Sequence, residues 1–143
     1  MEMRWRAHMV LHGALVVVIG LLAGLPYAFV LTGAMAGEER AWKMAHLEGV
    51  LNGLLVLAVA AAGDALRLPA RAQAVLAISL VGMAYANVLA SILGASVGVR
   101  GLSPGGPPAN TVVYLLFWLA IVGVFVGLGC VVAGARSRLS GRP

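Results

Sequence analysis

Residues 9–35 read MVLHGALVVVIGLLAGLPYAFVLTGAM, and this run decides the fold. It contains no Asp, Glu, Lys or Arg. A helix needs about 20 predominantly apolar residues to cross the hydrocarbon core of a bilayer. The apolar core of a cleaved secretory signal is much shorter, at about 7–15 residues. We therefore predict a retained transmembrane helix, which also targets the chain to the membrane.

Three more apolar runs follow, and they predict helices at about residues 42–62, 72–97 and 111–135. The chain is 62% hydrophobic and only 10% charged, whereas soluble domains average about 25% charged residues. A soluble domain of this length could not bury four helices that are apolar on every side. The sequence predicts an all-α integral membrane four-helix bundle that forms a single domain over residues 1–143.

The net charge of +5 has a topological interpretation. The basic residues are scattered through the termini and connections and form no patch of the kind that binds nucleic acid. Those in the two termini and the second connection are Arg4, Arg6, Arg67, Arg71, Arg136, Arg138 and Arg142; the other connections hold Arg40, Lys43 and Arg100. The positive-inside rule then predicts cytoplasmic termini and a multi-pass protein of the inner (plasma) membrane.

Small and rigid residues indicate how the helices pack. Gly20 and Gly24 stand four apart on one face of the first helix, so we expect a close helix contact near Gly20. Pro26 is expected to kink the same helix. The stretch from Arg100 to Pro108 is rich in Gly and Pro and predicts the one substantial loop.

Polar residues at the start of the second apolar run are the candidate functional residues. His46, Glu48 and Asn52 lie there, and ionisable side chains within a membrane helix usually have a function. At 1.5 Å per residue, Asn52 and Ser91 of the antiparallel third helix lie about 9 Å below the outer surface, with His46 and Tyr114 nearer to it.

Gly49 and Gly53 lie within about 60° of His46 around the helix and leave that face flat. A flat face suits either another helix or a porphyrin.

Each polar residue also has a simpler interpretation. His46 could contact lipid headgroups, Glu48 could extend outward to water, and Asn52 could be an interhelical hydrogen-bonding group. His8 and His12 stand four apart, but interfacial placement suits them better than a metal site. We place them at the opposite surface, about 30 Å from His46, so one protomer cannot bind one iron through both His12 and His46.

Several short motifs, in this order and spacing, resemble the styrene oxide isomerases, which are small four-helix membrane proteins that bind haem b. The motifs are His12-Gly13, Ala45-His46, Asn52-Gly53, Ala86-Asn87-Val88 after Tyr85, and Arg100-Gly101-Leu102 with the Gly/Pro loop behind it.

The resemblance implies that His46 is the axial ligand of the haem iron and that Asn52 hydrogen-bonds the oxygen of an aryl epoxide. It also implies a homotrimer with haem between protomers. Ferric iron with an open sixth position would act as a Lewis acid, and a hydride shift would give the aldehyde. Haem near His46 needs cations for its propionates, and Arg40, Lys43 and Arg100 are the expected ones.

One position departs from the family. Where the family has a tyrosine hydroxyl beside the substrate, this chain has Ser91. Tyr85 is no simple substitute, because six residues rotate it by 240° and shift it about 9 Å along the helix. Either Ser91 acts through a water, or Tyr114 or Tyr27 enters the pocket from another helix, or the epoxide chemistry has been lost. Glu48 matches no functional position of the family.

Two other functions remain open from the sequence. The first is a non-enzymatic haem protein for electron transfer or sensing, with Met35 or Met44 as the second iron ligand. The second is a membrane subunit without cofactor, in which His46 and Asn52 only join helices.

Overall fold

Four long helices form the computed structural model, which describes residues 1–140. The helices are α1 (Met3–Leu31), α2 (Glu39–Ala61), α3 (Ala70–Val97) and α4 (Pro108–Leu139). A short 3₁₀ turn at Ala62–Ala65 follows α2, and the described residues contain no strand. All four helices are long and apolar enough to cross a membrane, which confirms the predicted all-α membrane bundle. Arg142 lies outside the described residues.

All four helices begin before the apolar runs that predicted them. Helix α1 begins at Met3 instead of residue 9, although it ends at Leu31, before the predicted residue 35. Helix α4 begins with Pro108, which suits the first turn of a helix because its missing N–H would have no helical partner there. Hydropathy marks the part of a helix that lies in lipid, while hydrogen bonding continues into the polar ends, so the predicted bounds were too narrow at most helix ends.

Helix α3 is the centre of the protomer. It packs against α2 on one side and α4 on the other, and it also contacts α1. Within its most apolar stretch 56% of the residues are buried, compared with 11% in α4. Large apolar side chains such as Leu115 and Phe125 of α4 are exposed, as is expected where lipid tails replace water as solvent.

Glycines bring α1 and α2 into backbone contact. A Cβ atom on Gly20 would lie 2.5 Å from the amide nitrogen of Val50, and one on Gly53 would lie 2.7 Å from the carbonyl oxygen of Gly13. Gly49 faces Gly20 in the same way. The predicted close contact near Gly20 is confirmed. Within the protomer, helix α1 occupies the flat face that Gly49 and Gly53 were expected to offer to a porphyrin.

Side-chain hydrogen bonds fix the two ends of the bundle. At one end Arg6 pairs with Asp64 at 2.8 Å, which joins the start of α1 to the connection between α2 and α3. At the other end Asn110 accepts a hydrogen bond from Gly101 N and donates to the carbonyls of Ser103 and Gly105. The predicted irregular loop before α4 is therefore present and is organised by one asparagine.

Candidate functional site

His46 is held between α1 and α2 by a single hydrogen bond. Its Nδ1 lies 2.9 Å from the carbonyl oxygen of Gly20. Because a carbonyl can only accept, Nδ1 carries a proton, and in the neutral form of the ring the lone pair is then on Nε2. Gly24 lies directly beside the ring, since a Cβ atom there would be 3.0 Å from Nδ1. This arrangement orients Nε2 as a free base or a metal ligand.

The contact with Gly20 also corrects the expected depth of His46. The His46 ring lies beside Gly20 and Gly24, which are eight and twelve residues from His12 on α1, so the two histidines are separated by about 12–18 Å along the bundle, less than the expected 30 Å. The expectation was wrong because it took the ends of the apolar runs as the membrane surfaces, whereas α1 begins at Met3 and α2 at Glu39. The distance still prevents both histidines from binding one metal ion.

Asn52 is half-buried near the middle of α2. The side-chain hydrogen bonds between the central parts of the described helices join His12 to Tyr85, His46 to Gly20 and Ser91 to Glu48, and none uses Asn52. An amide without a hydrogen-bond partner inside a membrane helix is energetically costly. Since the rest of the described protomer supplies none, the Asn52 amide is available to a ligand or to a second copy of the chain.

Glu48 and Ser91 meet across the α2–α3 interface. The Ser91 hydroxyl donates to Oε2 of Glu48, and Ser91 is 8% exposed. Glu48 therefore turns into the protein instead of extending outward to water. The two side chains line a cavity of about 410 Å³ between α2, α3 and α4, whose apolar wall includes Val113 and Phe117. Single-ring and drug-sized ligands occupy cavities of this size.

The three predicted cations lie near the N-terminal end of α2. Arg40 and Arg100 are exposed and line the same cavity as Glu48, and Lys43 lies with Arg40 along a neighbouring surface groove. Neither His46 nor Asn52 lines the cavity. The protomer thus has two separate polar regions, with His46 against α1 and Glu48 with Ser91 against α3.

The tyrosines do not replace the missing hydroxyl beside Ser91. Tyr85 lies 3.0 Å from Nδ1 of His12, as its rotation away from Ser91 required. The Tyr114 ring packs edge-on against Trp118, and Tyr27 packs in a cluster with Trp42. None of these tyrosines lines the cavity that contains Ser91.

Of the two methionines offered as second iron ligands, Met44 faces away from His46. Met44 precedes it by two residues, so it projects about 160° away around the helix, and it lines the Glu48 cavity. Met35 lies in the connection after α1 and packs against the cluster of Trp42. In one protomer, therefore, Met44 and His46 cannot bind the same iron.

Two contacts were not foreseen from the sequence. The bond between Ser91 and Glu48 and the bond between His12 and Tyr85 both depend on how each helix is rotated about its own axis. One indication of the Ser91–Glu48 contact was present in the sequence. Asn52 and Ser91 were predicted to lie at a similar depth, and Asn52 is one helical turn from Glu48.

Comparison with known families identifies the chain. The family model for styrene oxide isomerase matches residues 5–136, which is more than nine-tenths of the sequence. The chain belongs to the styrene oxide isomerase family. No individual curated protein matches it. The matched region contains His46, Asn52, Glu48 and Ser91, and membership indicates a multi-pass membrane protein with isomerase-like function.

Proposed function

We propose that the protein is a haem b-dependent isomerase that converts an aryl epoxide, such as styrene oxide, into the corresponding aldehyde. The observation that carries this proposal is the orientation of His46. Its Nδ1–H is bonded to the Gly20 carbonyl, which leaves Nε2 as the available nitrogen. Histidines that bind metals are commonly fixed in this way, with the other ring nitrogen donating to a carbonyl or a carboxylate.

The residues present fit a haem group at the surface of the protomer. His46 is half-buried, and the cavity of about 410 Å³ does not include it, so a porphyrin bound to Nε2 would be covered by another copy of the chain. We propose a homotrimer with haem at the interfaces between protomers. Arg40, Lys43 and Arg100 are the cations available for its propionates.

When bound, ferric haem b would supply a Lewis acid and would leave the overall reaction free of electron transfer. Asn52 would donate its amide N–H to the epoxide oxygen, where negative charge grows as the benzylic C–O bond breaks. A hydride then moves from the oxygen-bearing carbon to the benzylic carbon, and the carbonyl forms on the carbon that it left. Within residues 1–140 the Asn52 amide has no side-chain hydrogen bond, which supports this role.

We also propose that the protein resides in the plasma membrane with both termini in the cytoplasm. The bond between Arg6 and Asp64 supports this topology, because it places the N-terminus and the second connection at the same end of the bundle. These two segments and the C-terminal tail carry most of the basic residues.

The test is the absorption spectrum of the detergent-purified protein, followed by addition of styrene oxide and detection of phenylacetaldehyde. We expect a Soret band that His46→Ala removes and that His8→Ala, a control on α1, retains. A protein without Soret absorption after expression with excess haem, or His46→Ala with full haem content, would contradict the proposal.

A further inference from the structure

The cavity beside Ser91 is lined by the carboxylate of Glu48. The resemblance to the styrene oxide isomerases assigns no function to this residue. Glu48 lies on α2, and the Ser91 hydroxyl of α3 donates to its Oε2. Its other oxygen, Oε1, takes part in none of the hydrogen bonds among residues 1–140. A carboxylate has about four acceptor positions, so this group has unused capacity within a largely apolar cavity.

The rest of the lining suggests the shape of the ligand. Phe117 and Val113 provide an apolar wall for a ring, while Ala90, Gly94 and Ala95 leave space on the α3 side. Arg40 and Arg100 are exposed, and Ser91 is almost fully buried, so the cations stand nearer to solvent than the Glu48–Ser91 pair. A ligand that reaches the buried part of the cavity meets an acceptor there.

Ser91, which stands where the resemblance to the family implies a tyrosine, is part of the same arrangement. Its proton is committed to Glu48, so Ser91 cannot donate to a ligand at the same time. A serine leaves more space in the cavity than a tyrosine would. Glu48 faces that space with a hydrogen-bond acceptor, whereas the phenol of a tyrosine would have offered a donor. This part of the cavity therefore suits a ligand that donates a hydrogen bond.

We infer that the cavity lined by Glu48 and Ser91 is a second binding site, separate from the region of His46, and that it takes aromatic ligands whose ring carries a hydrogen-bond donor, such as a phenolic hydroxyl. Ser91 is a positioning residue that holds the Glu48 side chain. The inference goes beyond the proposed function, because neither His46 nor Asn52 lines this cavity. The ligand preference itself is a binding property, so it can be measured without turnover.

The experiment compares two unreactive probes, 2-(4-hydroxyphenyl)ethanol and 2-phenylethanol, by equilibrium dialysis of the full-length protein against empty detergent micelles. The measured quantity is the ratio of the two dissociation constants. A hydrogen bond from the ring hydroxyl to the free Oε1 of Glu48 predicts that the hydroxylated probe binds up to about 10-fold more tightly. Glu48→Gln should reduce this ratio and Glu48→Leu should abolish it. Because the two probes differ only in the ring hydroxyl, changes in cavity shape largely cancel in the ratio.

Glu39→Gln is the control, because it changes an exposed carboxylate on α2 that does not line the cavity, and it should leave the ratio unchanged. Ser91→Ala tests the positioning role: it keeps the Glu48 side chain but removes its partner, so the ratio should fall below the native value without reaching one. Equal binding of the two probes to the native protein would overturn the inference. Tighter binding of phenylacetate than of the phenol would also overturn it, since Arg40 and Arg100 would then determine the choice.

The outcome separates this inference from the proposed function. If the protein binds haem and isomerises styrene oxide but shows no preference between the probes, only the role of Glu48 is wrong. If it shows the preference but no Soret band, the proposed function is wrong and the cavity remains a binding site.

Discussion

The Nδ1–H of His46 donates to the carbonyl oxygen of Gly20 over 2.9 Å and joins the middle of α2 to the middle of α1. This bond selects one tautomer and one ring orientation before any ligand binds. Gly24, one turn further along α1, leaves the space that the ring fills. A side chain held in this way on two packed helices suits the iron-binding role proposed for His46, because small errors in the position of a functional group are costly.

Gly24→Ala should weaken haem binding. The added Cβ atom would lie 3.0 Å from Nδ1 of His46, so the ring has to shift by a few tenths of an ångström. Changes to groups that orient a metal ligand typically reduce affinity by about 10- to 100-fold. Titration of the purified protein with haem, followed at the Soret band, measures the effect. Gly82→Ala, with no atom within 4 Å of its Cβ position, is the matched control, and identical titrations of both variants would contradict the prediction.

Gly20→Ala should destabilise the bundle. Its Cβ atom would approach Val50 N to 2.5 Å and Gly49 C to 2.6 Å, and these are backbone atoms that can move only if α1 and α2 separate. Overpacking of this kind costs about 1–3 kcal/mol. Thermal melting in detergent, followed by circular dichroism, should give a lower Tm. Gly129→Ala adds a Cβ atom in open space and should melt at or above the native temperature, so a shared Tm would refute the prediction.

The fold was predictable because a helix that crosses the hydrocarbon core of a membrane needs about 20 predominantly apolar residues in a row. Four apolar runs specified four helices, three of them without any charged residue and the second with only Lys43 and Glu48. The polar residues in the second run and the family motifs marked His46 and Asn52 as candidate site residues. The depths were less accurate. The distance between His12 and His46 was overestimated because hydropathy shows which residues lie in lipid, but not where the helical hydrogen bonding begins or how far one helix slides along another.

The contacts of Glu48 and Ser91 could not be read from the sequence. An all-round apolar helix has no strong amphipathic direction, so its rotation about its own axis is set by close packing, here by glycines such as Gly20 and Gly49. That packing points His46 at α1 and Glu48 at α3. Glu48 alone suggested a side chain extending to water, whereas in the folded bundle Ser91 gives it a nearer partner.

External labelling should show that the long loop and the termini lie on opposite sides of the membrane. In a Cys130→Ala background, Ser103→Cys lies in the connection between α3 and α4, and Ser140→Cys lies just beyond α4. A membrane-impermeant maleimide added to intact cells should label the first and leave the second unlabelled until the cells are opened. Labelling of Ser140→Cys from outside would reverse the proposed topology.

Asn110→Ala should loosen the loop before α4. The substitution removes an acceptor from Gly101 N and donors from the carbonyls of Ser103 and Gly105. Each such bond contributes about 0.5–1.5 kcal/mol, so amide exchange at Gly101 should accelerate by about 10-fold or more. Hydrogen–deuterium exchange with mass spectrometry measures this. Ser103→Ala should leave the exchange unchanged, because Ser103 contributes only its backbone carbonyl; equal rates in the two variants would remove Asn110 as the organiser of the loop.

Asn52→Ala should slow epoxide opening while haem remains bound. If the amide stabilises the charge that develops on the epoxide oxygen, its removal lowers kcat by about 10² to 10³. The Soret spectrum and the Tm should stay close to native, because the described protomer gives the Asn52 side chain no hydrogen bond to lose. Ser79→Ala, which removes a hydroxyl bonded within its own helix, controls for the loss of any polar group inside the bundle. An unchanged kcat would exclude Asn52 from the reaction, whereas a lower Tm together with loss of oligomers would mean that its amide joins protomers instead.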